Sequence, residues 1–397
     1  MELEPHPRGV SLGELNWSIV NVTKENEIQT LSEFQKKGGQ VLNVLYMHPE
    51  EGEFCSYQQT ESSGYAATRE WVSPVSKAKS VRTEKRLSCA AWSSDGVMIA
   101  LSFPDSSVRV YDTQKQRWSD SVLRLEDPLS VHSIAWKPDS HHTLAVASEQ
   151  GVLVWDFHTS SEYQVVSALP NALQVAFSPN GEFLAAIRQG DSSVYCYSTL
   201  DYALAFTLGS FSALPTRLLF SPDSCLLAVH MNDGSVFVYN MLTLRHEVWT
   251  LPGDSPIIDY GFSGDAQTLW LMCPLGPRVV LYALQLSHQL NCFYGSMTDR
   301  VCVLNDQGEE CVMCVDAKGG RLACGYRRQN RVDVYRVAGS ELLLIGSLRS
   351  GVEENGVMEM CFGRREKGSM LCVTWRSGHV LFYHLCYCLC QFQMMLM

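Results

Sequence analysis

The chain has 397 residues, 46% of them hydrophobic, and a formal net charge of −11 at pH 7. That apolar fraction is ample for a sizeable core, and the acidic balance argues against a general nucleic-acid binder, which carries a basic face. No apolar run approaches the ~20 residues of a membrane-spanning helix, and the first residues, with Glu2 and Glu4, do not read as a secretory leader.

Met1 to about Arg86 precedes the patterned part of the chain. Val41 to Met47 reads as one strand, Glu50 to Ala67 as a polar, turn-rich or disordered loop, and Lys77 to Arg86 as a basic, solvated linker. Asn16-Trp-Ser18 and Asn21-Val-Thr23 match the glycosylation pattern, but without a secretory route they read as chance matches.

From Cys89 onward one phrase recurs seven times. An apolar run ending in Trp or Phe is followed by a polar turn of the Ser-Pro-Asp-Gly kind, a second apolar run, and a third that closes on an aromatic residue. The strong copies run from Cys89 to Asp112, Ser133 to Asp156, Gln174 to Ser198 and Arg217 to Asn240; weaker ones lie near Ile258 to Ala283, Cys311 to Arg336 and Met358 to His384. A period of roughly 45 residues with three strand-like runs and room for a fourth is the WD40 pattern, whose unit is a four-stranded propeller blade.

The runs are short, rich in Val, Leu, Tyr and Phe, apolar on both faces, and bounded by turn residues, as strands covered on both sides are. Small residues in the first runs (Ala90, Ala91, Ala135, Ala176) suit the crowded axis of a ring. The expectation is an all-β, seven-bladed WD40-type β-propeller over residues 87–385, with an irregular amino-terminal segment over 1–86 and a Cys/Met-rich tail over 386–397. Outer strands are expected at Trp118 to Leu125, Tyr163 to Ala168, Leu204 to Leu208 and Arg245 to Leu251. The strand completing the seventh blade is expected from Gln40 to Met47 or from Leu385 to Gln393.

Of the fifteen cysteines, Cys89, Cys196, Cys225, Cys324, Cys361 and Cys372 lie in apolar runs and read as small buried hydrophobes of a reducing compartment. No phosphate-cradling loop, nucleophile elbow or zinc-protease motif is present. Cys311-Val-Met-Cys314 has metal-pair spacing but no second pair, and reads as structural. His141-His142 reads as an exposed turn. Glu309-Glu310 and Glu353-Glu354 fall in loops, and Cys386, Cys388 and Cys390 alternate as on a strand, not as zinc ligands. In Gly325-Tyr-Arg-Arg-Gln-Asn-Arg331, the arginines Arg327, Arg328 and Arg331 are the candidate partner-binding residues. The place is similar to the paired-arginine motif of phosphoinositide-binding propellers, with Gln329 where those have glycine; arginine suits phosphate through its planar donor fork.

Several strings carry a more specific likeness: Asp105-Ser-Ser-Val-Arg-Val-Tyr111, Ile134-Ala-Trp-Lys-Pro138 with Leu144-Ala-Val-Ala147, Leu218-Leu-Phe-Ser-Pro-Asp223, Trp249-Thr-Leu-Pro-Gly253, Val373-Thr-Trp-Arg-Ser-Gly-His-Val380, and more faintly Arg8-Gly-Val-Ser-Leu12. In these the chain resembles the aladin-like WD-repeat nucleoporins from about Leu87 to Tyr387. It departs from them in a shorter leading segment and in lacking their proline-rich carboxyl-terminal extension. Trp155-Asp156 is the one full Trp-Asp dipeptide, so the usual Asp-His-Ser-Trp networks are not expected in most blades.

The resemblance implies a non-catalytic scaffold of the nuclear pore complex, at the nuclear envelope, held by a transmembrane nucleoporin and supporting nucleocytoplasmic transport. It also implies a place at spindle poles and in the cytoplasm. Protein partners are expected, with indirect membrane association and no cofactor, metal, catalytic residue or direct nucleic-acid contact. The alternative is a WD-repeat adaptor of another complex, either a ubiquitin-ligase substrate receptor or a phosphoinositide-dependent recruiter.

Overall fold

The computed structural model describes residues 87–386 apart from short loops, and before them the segments Glu2–Leu3, Ser11–Leu15, Ser18–Val22, Leu42–Tyr46, Phe54–Thr60, Ala66–Val72 and Val81–Arg82. Every element among the described residues is a strand. Seven antiparallel blades follow one another. Their inner strands are Ala90–Trp92, Val131–Trp136, Ala172–Phe177, Pro215–Phe220, Asp259–Phe262, Cys311–Val315 and Val357–Arg365. The last inner strand lies against the first, so the ring is closed.

Each repeat supplies its own outer strand up to blade six: Arg117–Arg124, Tyr163–Ser167, Leu204–Gly209, His246–Trp249, Cys292–Met297 and Glu341–Leu348. The first four fall where the sequence places them. In blade five the third strand runs to 12 residues, Arg278–Gln289. This strand is long enough to pair with Cys302–Asn305 as well as with Cys292–Met297.

The apolar character of both strand faces has a direct structural cause. Alternate side chains of one strand serve opposite neighbours. Leu144 and Val146 pack in the cluster between blades one and two, whereas Ala145 and Ala147 pack in the cluster between blades two and three. Leu227 and Val229 likewise face blade three, and Leu226 and Ala228 face blade five. The described core is thus seven clusters, one at every interface between blades.

Blade seven is completed from the other end of the chain. Val81–Arg82 runs antiparallel to its third strand, pairing with His379 and Val380. Neither stretch offered by the sequence fills this place. Leu42–Tyr46 pairs with Ser11–Leu15 and runs close beside His379–Cys386. The tail contributes Leu385 and Cys386 to the third strand, and residues 387–397 lie outside the described residues. A two-residue strand carries no periodicity, so no pattern could mark it.

Before the ring, Phe54–Thr60 pairs with Ala66–Val72, in a stretch that reads as loop up to Ala67. The β-formers Tyr57, Thr60, Thr68 and Trp71 outweigh its polar composition. Glu2–Leu3 adds in parallel to the outer edge of Glu341–Leu348, as a fifth strand of blade six.

The Ser-Pro-Asp turns act as clamps. In blade four Ser221 Oγ donates to Leu226 O at 3.2 Å and accepts the Leu226 N–H at 2.8 Å, while the Ser221 backbone N–H donates to Leu226 O at 2.9 Å. Blades one and three repeat this with Ser93 and Met98, and Ser178 and Phe183. The turn needs a left-handed residue, supplied by Gly96 and Gly181 but by Ser224 (φ 64°) in blade four. Ser221 is fully buried, so Ser221→Ala strands the Leu226 N–H. A loss of about 1–3 kcal/mol is expected in chemical denaturation; an unchanged midpoint would show that the clamp is ornamental.

Candidate functional site: the axial rim and the arginine hairpin

The inner strand of each blade has one edge that no strand pairs, and such edges need polar partners. Just ahead of the regular pairing, a register shift interrupts the inner strands of blades two, three, four and seven, skipping His132, Leu173, Thr216 and Met358. A bulge of this kind re-aims the side chain that follows it. The seven equivalent positions are Cys89, Ser133, Gln174, Arg217, Asp259, Val312 and Glu359.

Several of these side chains reach the next blade. The Gln174 amide brackets Leu218, accepting its N–H at 2.6 Å and donating to its carbonyl at 3.1 Å. Asp259 Oδ2 accepts the Met313 N–H at 2.7 Å, and Glu359 Oε2 accepts the Ala90 N–H at 2.9 Å across the seam between blades seven and one. Arg217 donates to Asp259 Oδ1 and lies 5.4 Å from the Tyr260 ring centroid. His132 and Trp136 make similar bridges, to Ala172 O and Ala91 O at 2.8 Å.

The electrostatics follow from this packing. Burial, with the Arg217 charge nearby, pushes His230 down to about 4. Glu359 is half-buried, and burial pushes its carboxyl up to about 7 against the Ala90 N–H and the charges of Arg217 and Arg327. Burial and the Glu359 charge push the Cys89 thiol up. Glu359 and Asp259 are engaged with backbone N–H groups, Asp259 also with Arg217, and His230 shares a hydrogen bond with Thr216 through Nδ1. The sequence holds the signal for the rim: stacking the repeats puts Gln174, Arg217, Asp259 and Glu359 in one column, each opening an apolar run.

The candidate arginines do not converge. Arg331 forks onto the fully buried Asp333 (Nε to Oδ1 2.7 Å, Nη2 to Oδ2 2.6 Å), which also accepts the Tyr326 hydroxyl at 2.7 Å. Arg327 donates to Met358 O of blade seven at 3.2 Å. Arg328 is exposed at the hairpin tip.

Cys311 packs between blades five and six and Cys314 between six and seven, so the two thiols of the Cys-x-x-Cys face opposite interfaces. His141 is exposed, 3.0 Å from the Asp95 carboxylate, whereas His142 is half-buried against His158 and Phe157. Burial, first, lowers the His142 pKa. Cys225 departs from the buried reading: it is exposed in the clamp turn, its N–H held by Asp223 Oδ1 at 3.0 Å. Among the described residues no group of three or more His, Cys, Asp or Glu is placed to hold a metal ion. Glu309-Glu310, Glu353-Glu354, Cys388 and Cys390 lie outside the described residues.

Three substitutions test the rim. The folded Glu359 pKa lies above that of an unfolded glutamate, so the native state binds more protons between pH 4.5 and 7 and loses stability as pH rises through that window, about 3 kcal/mol in all. Glu359→Gln keeps an acceptor for Ala90 without the charge. It should match wild type at pH 4.5 and unfold at higher denaturant at pH 8; parallel pH profiles would refute the assignment. Arg217→Met strands the buried Asp259 charge and should cost about 3–5 kcal/mol, most of it restored by adding Asp259→Asn.

Comparisons with known proteins agree with the fold. No protein-family model matches the chain. It is 21% identical to Periodic tryptophan protein 2 of Arabidopsis thaliana over 293 residues, 70% of this chain and 32% of that one. It is 26% identical to the LST8 homolog of Drosophila melanogaster over 166 residues, 39% and 52% of the two chains. With HIR2 of Debaryomyces hansenii it shares 28% over 112 residues, 24% of this chain and 11% of that one. The matches therefore span from about a tenth to about half of these relatives.

Among solved structures, hydrazine synthase of Kuenenia stuttgartiensis superposes with a TM-score of 0.60 at 15% identity, over 77% of this chain and 97% of that one. The Cps50 (Swd1) β-propeller domain of Myceliophteria thermophila does so at 0.59 and 13%, over 77% and 98%. Repeat, blade order and these likenesses together show a seven-bladed β-propeller of the WD40 type.

Proposed function

We propose that this propeller is a non-catalytic scaffold of the nuclear pore complex, docked to a transmembrane nucleoporin and supporting nucleocytoplasmic transport. Propellers of this type generally mediate protein–protein interactions, through loops and rims carried on a rigid ring. The observation that carries the pore reading is the set of strings from Asp105 to Val380 that resemble aladin-like nucleoporins.

The geometry supports the non-catalytic half. Ionisable groups near the axis are engaged in joining blades: Arg217 with Asp259, and Glu359 with Ala90. The phosphoinositide alternative is less favoured, because Arg327, one of the adjacent pair, is turned to Met358 O, and a paired-arginine grip needs both forks outward.

Fluorescent tagging of the full chain in living cells tests the reading. A punctate nuclear rim that co-localises with pore markers is expected. Diffuse cytoplasm, or vesicles appearing on starvation, would overturn it in favour of another adaptor role.

A further inference from the structure

We propose that the outer edge of blade three is a strand-addition site, taking an extended, acid-free segment of a partner protein. The inference rests on reading the ring as an interaction platform, and it names the surface and the kind of partner.

Leu204–Gly209 is the last strand of its sheet, paired on one side to Ser193–Ser198 and, among the described residues, to no strand on the other. Its outward backbone groups are a template for another chain. Proteins usually blunt such edges with charge, and this ring does so elsewhere. The outer strand of blade one exposes Arg117, Asp120 and Arg124, and that of blade four begins at His246-Glu247 behind the exposed Arg245. The edge of blade three reads Leu-Ala-Phe-Thr-Leu-Gly, without a charge or proline, and exposes Leu204, Ala205 and Thr207. The most exposed large hydrophobic residue described, Leu200 at 96%, lies on the turn that leads into it.

The molecule already uses this mode of binding. Glu2–Leu3 adds to the free edge of blade six, and Val81–Arg82 to that of blade seven. Main-chain hydrogen bonds supply affinity in such additions and alternate side chains supply selectivity.

Charge chooses the occupant. Two copies of the chain each carry −11 and repel, whereas a neutral or basic segment of another protein does not. Asp201 is exposed at the start of the edge, where its carboxylate accepts the Ala203 N–H at 3.0 Å. The fitting segment is therefore rich in β-formers, apolar at alternate positions, free of Asp and Glu, and basic at the end that meets Asp201.

A random twelve-residue displayed peptide library, panned on the full chain, tests this against a Leu204→Glu/Thr207→Glu double variant. Both substituted positions are exposed, so thermal unfolding should be nearly unchanged, which verifies folding. Expected are enriched sequences of the stated character whose synthetic peptides bind the variant at least about tenfold more weakly. They should also slow amide exchange within Leu204–Gly209 of the wild type. Peptides that bind both proteins alike would leave the platform reading standing and remove this edge from it. Helical or acidic winners, or no enrichment over a blank surface, would overturn the proposal. So would a wild-type dimer in ultracentrifugation that the double variant abolishes, since the edge would then belong to a second copy.

Discussion

Closure of the ring is the constraint on which everything else depends. A blade whose strands are apolar on both faces has no stable existence alone, because each face must be covered by a neighbour. Blades two to six receive neighbours from adjacent sequence, but blades seven and one meet only when the two ends of the chain come together. At that seam Leu87, Ile99, Leu101, Phe103 and Tyr111 pack against Met370, Cys372 and Val380. Burying a single leucine- or phenylalanine-sized side chain contributes about 1.5–3 kcal/mol. A ladder of two residues, such as Val81–Arg82, adds about one kcal/mol per hydrogen bond. The apolar cluster therefore holds the ring shut, and the short strand and the Glu359–Ala90 bond fix how it shuts.

The same constraint disposes of the polar groups near the axis. The inner strands cannot all be satisfied by strand partners, so side chains from the preceding blade complete them. A neutral amide does this most cheaply, as at Gln174. A carboxylate in the same column must either carry its own cation, as Asp259 carries Arg217, or hold its proton more tightly, as Glu359 does. Both solutions follow from the cost of burying charge without compensation. They leave these groups turned towards the protein, bonded to backbone and to one another.

Much of this was legible in the sequence, and the limits of legibility have physical reasons. Seven closing aromatics and the turn triplets announced seven blades, because a repeat superimposes the same weak local signal many times over. The outer strands of blades one to four could be placed from the apolar residues left in the linkers. The strand completing blade seven could not, since Val81–Arg82 lies in a basic stretch and is a strand only because His379–Val380 offers it an edge. Cys225 was misread for a related reason: it abuts the apolar run at Leu226 but belongs to the clamp turn, and one residue of register decides between core and solvent. The Arg327–Arg331 hairpin looked like a cluster in sequence, yet Asp333, two residues beyond, captures one arginine and the next blade captures another.

The serine clamp explains how the ring dispenses with the Trp-Asp and Gly-His dipeptides that it mostly lacks. Ser93, Ser178 and Ser221 each tie the end of an inner strand to the start of the second through one hydroxyl that both donates and accepts. Blade five keeps half of the device, with Ser263 Oγ accepting the Thr268 N–H, and blade two replaces it with Ser140 bonded to Thr143. Each clamp spans five residues or fewer and stays inside its own blade. The polar bonds that cross from blade to blade are instead concentrated on the axial column and between neighbouring turns, such as Ser94 with Pro138 O and Asn180 N with Ser224. Division of labour of this kind gives stiff blades joined by large apolar faces and a few directed bonds.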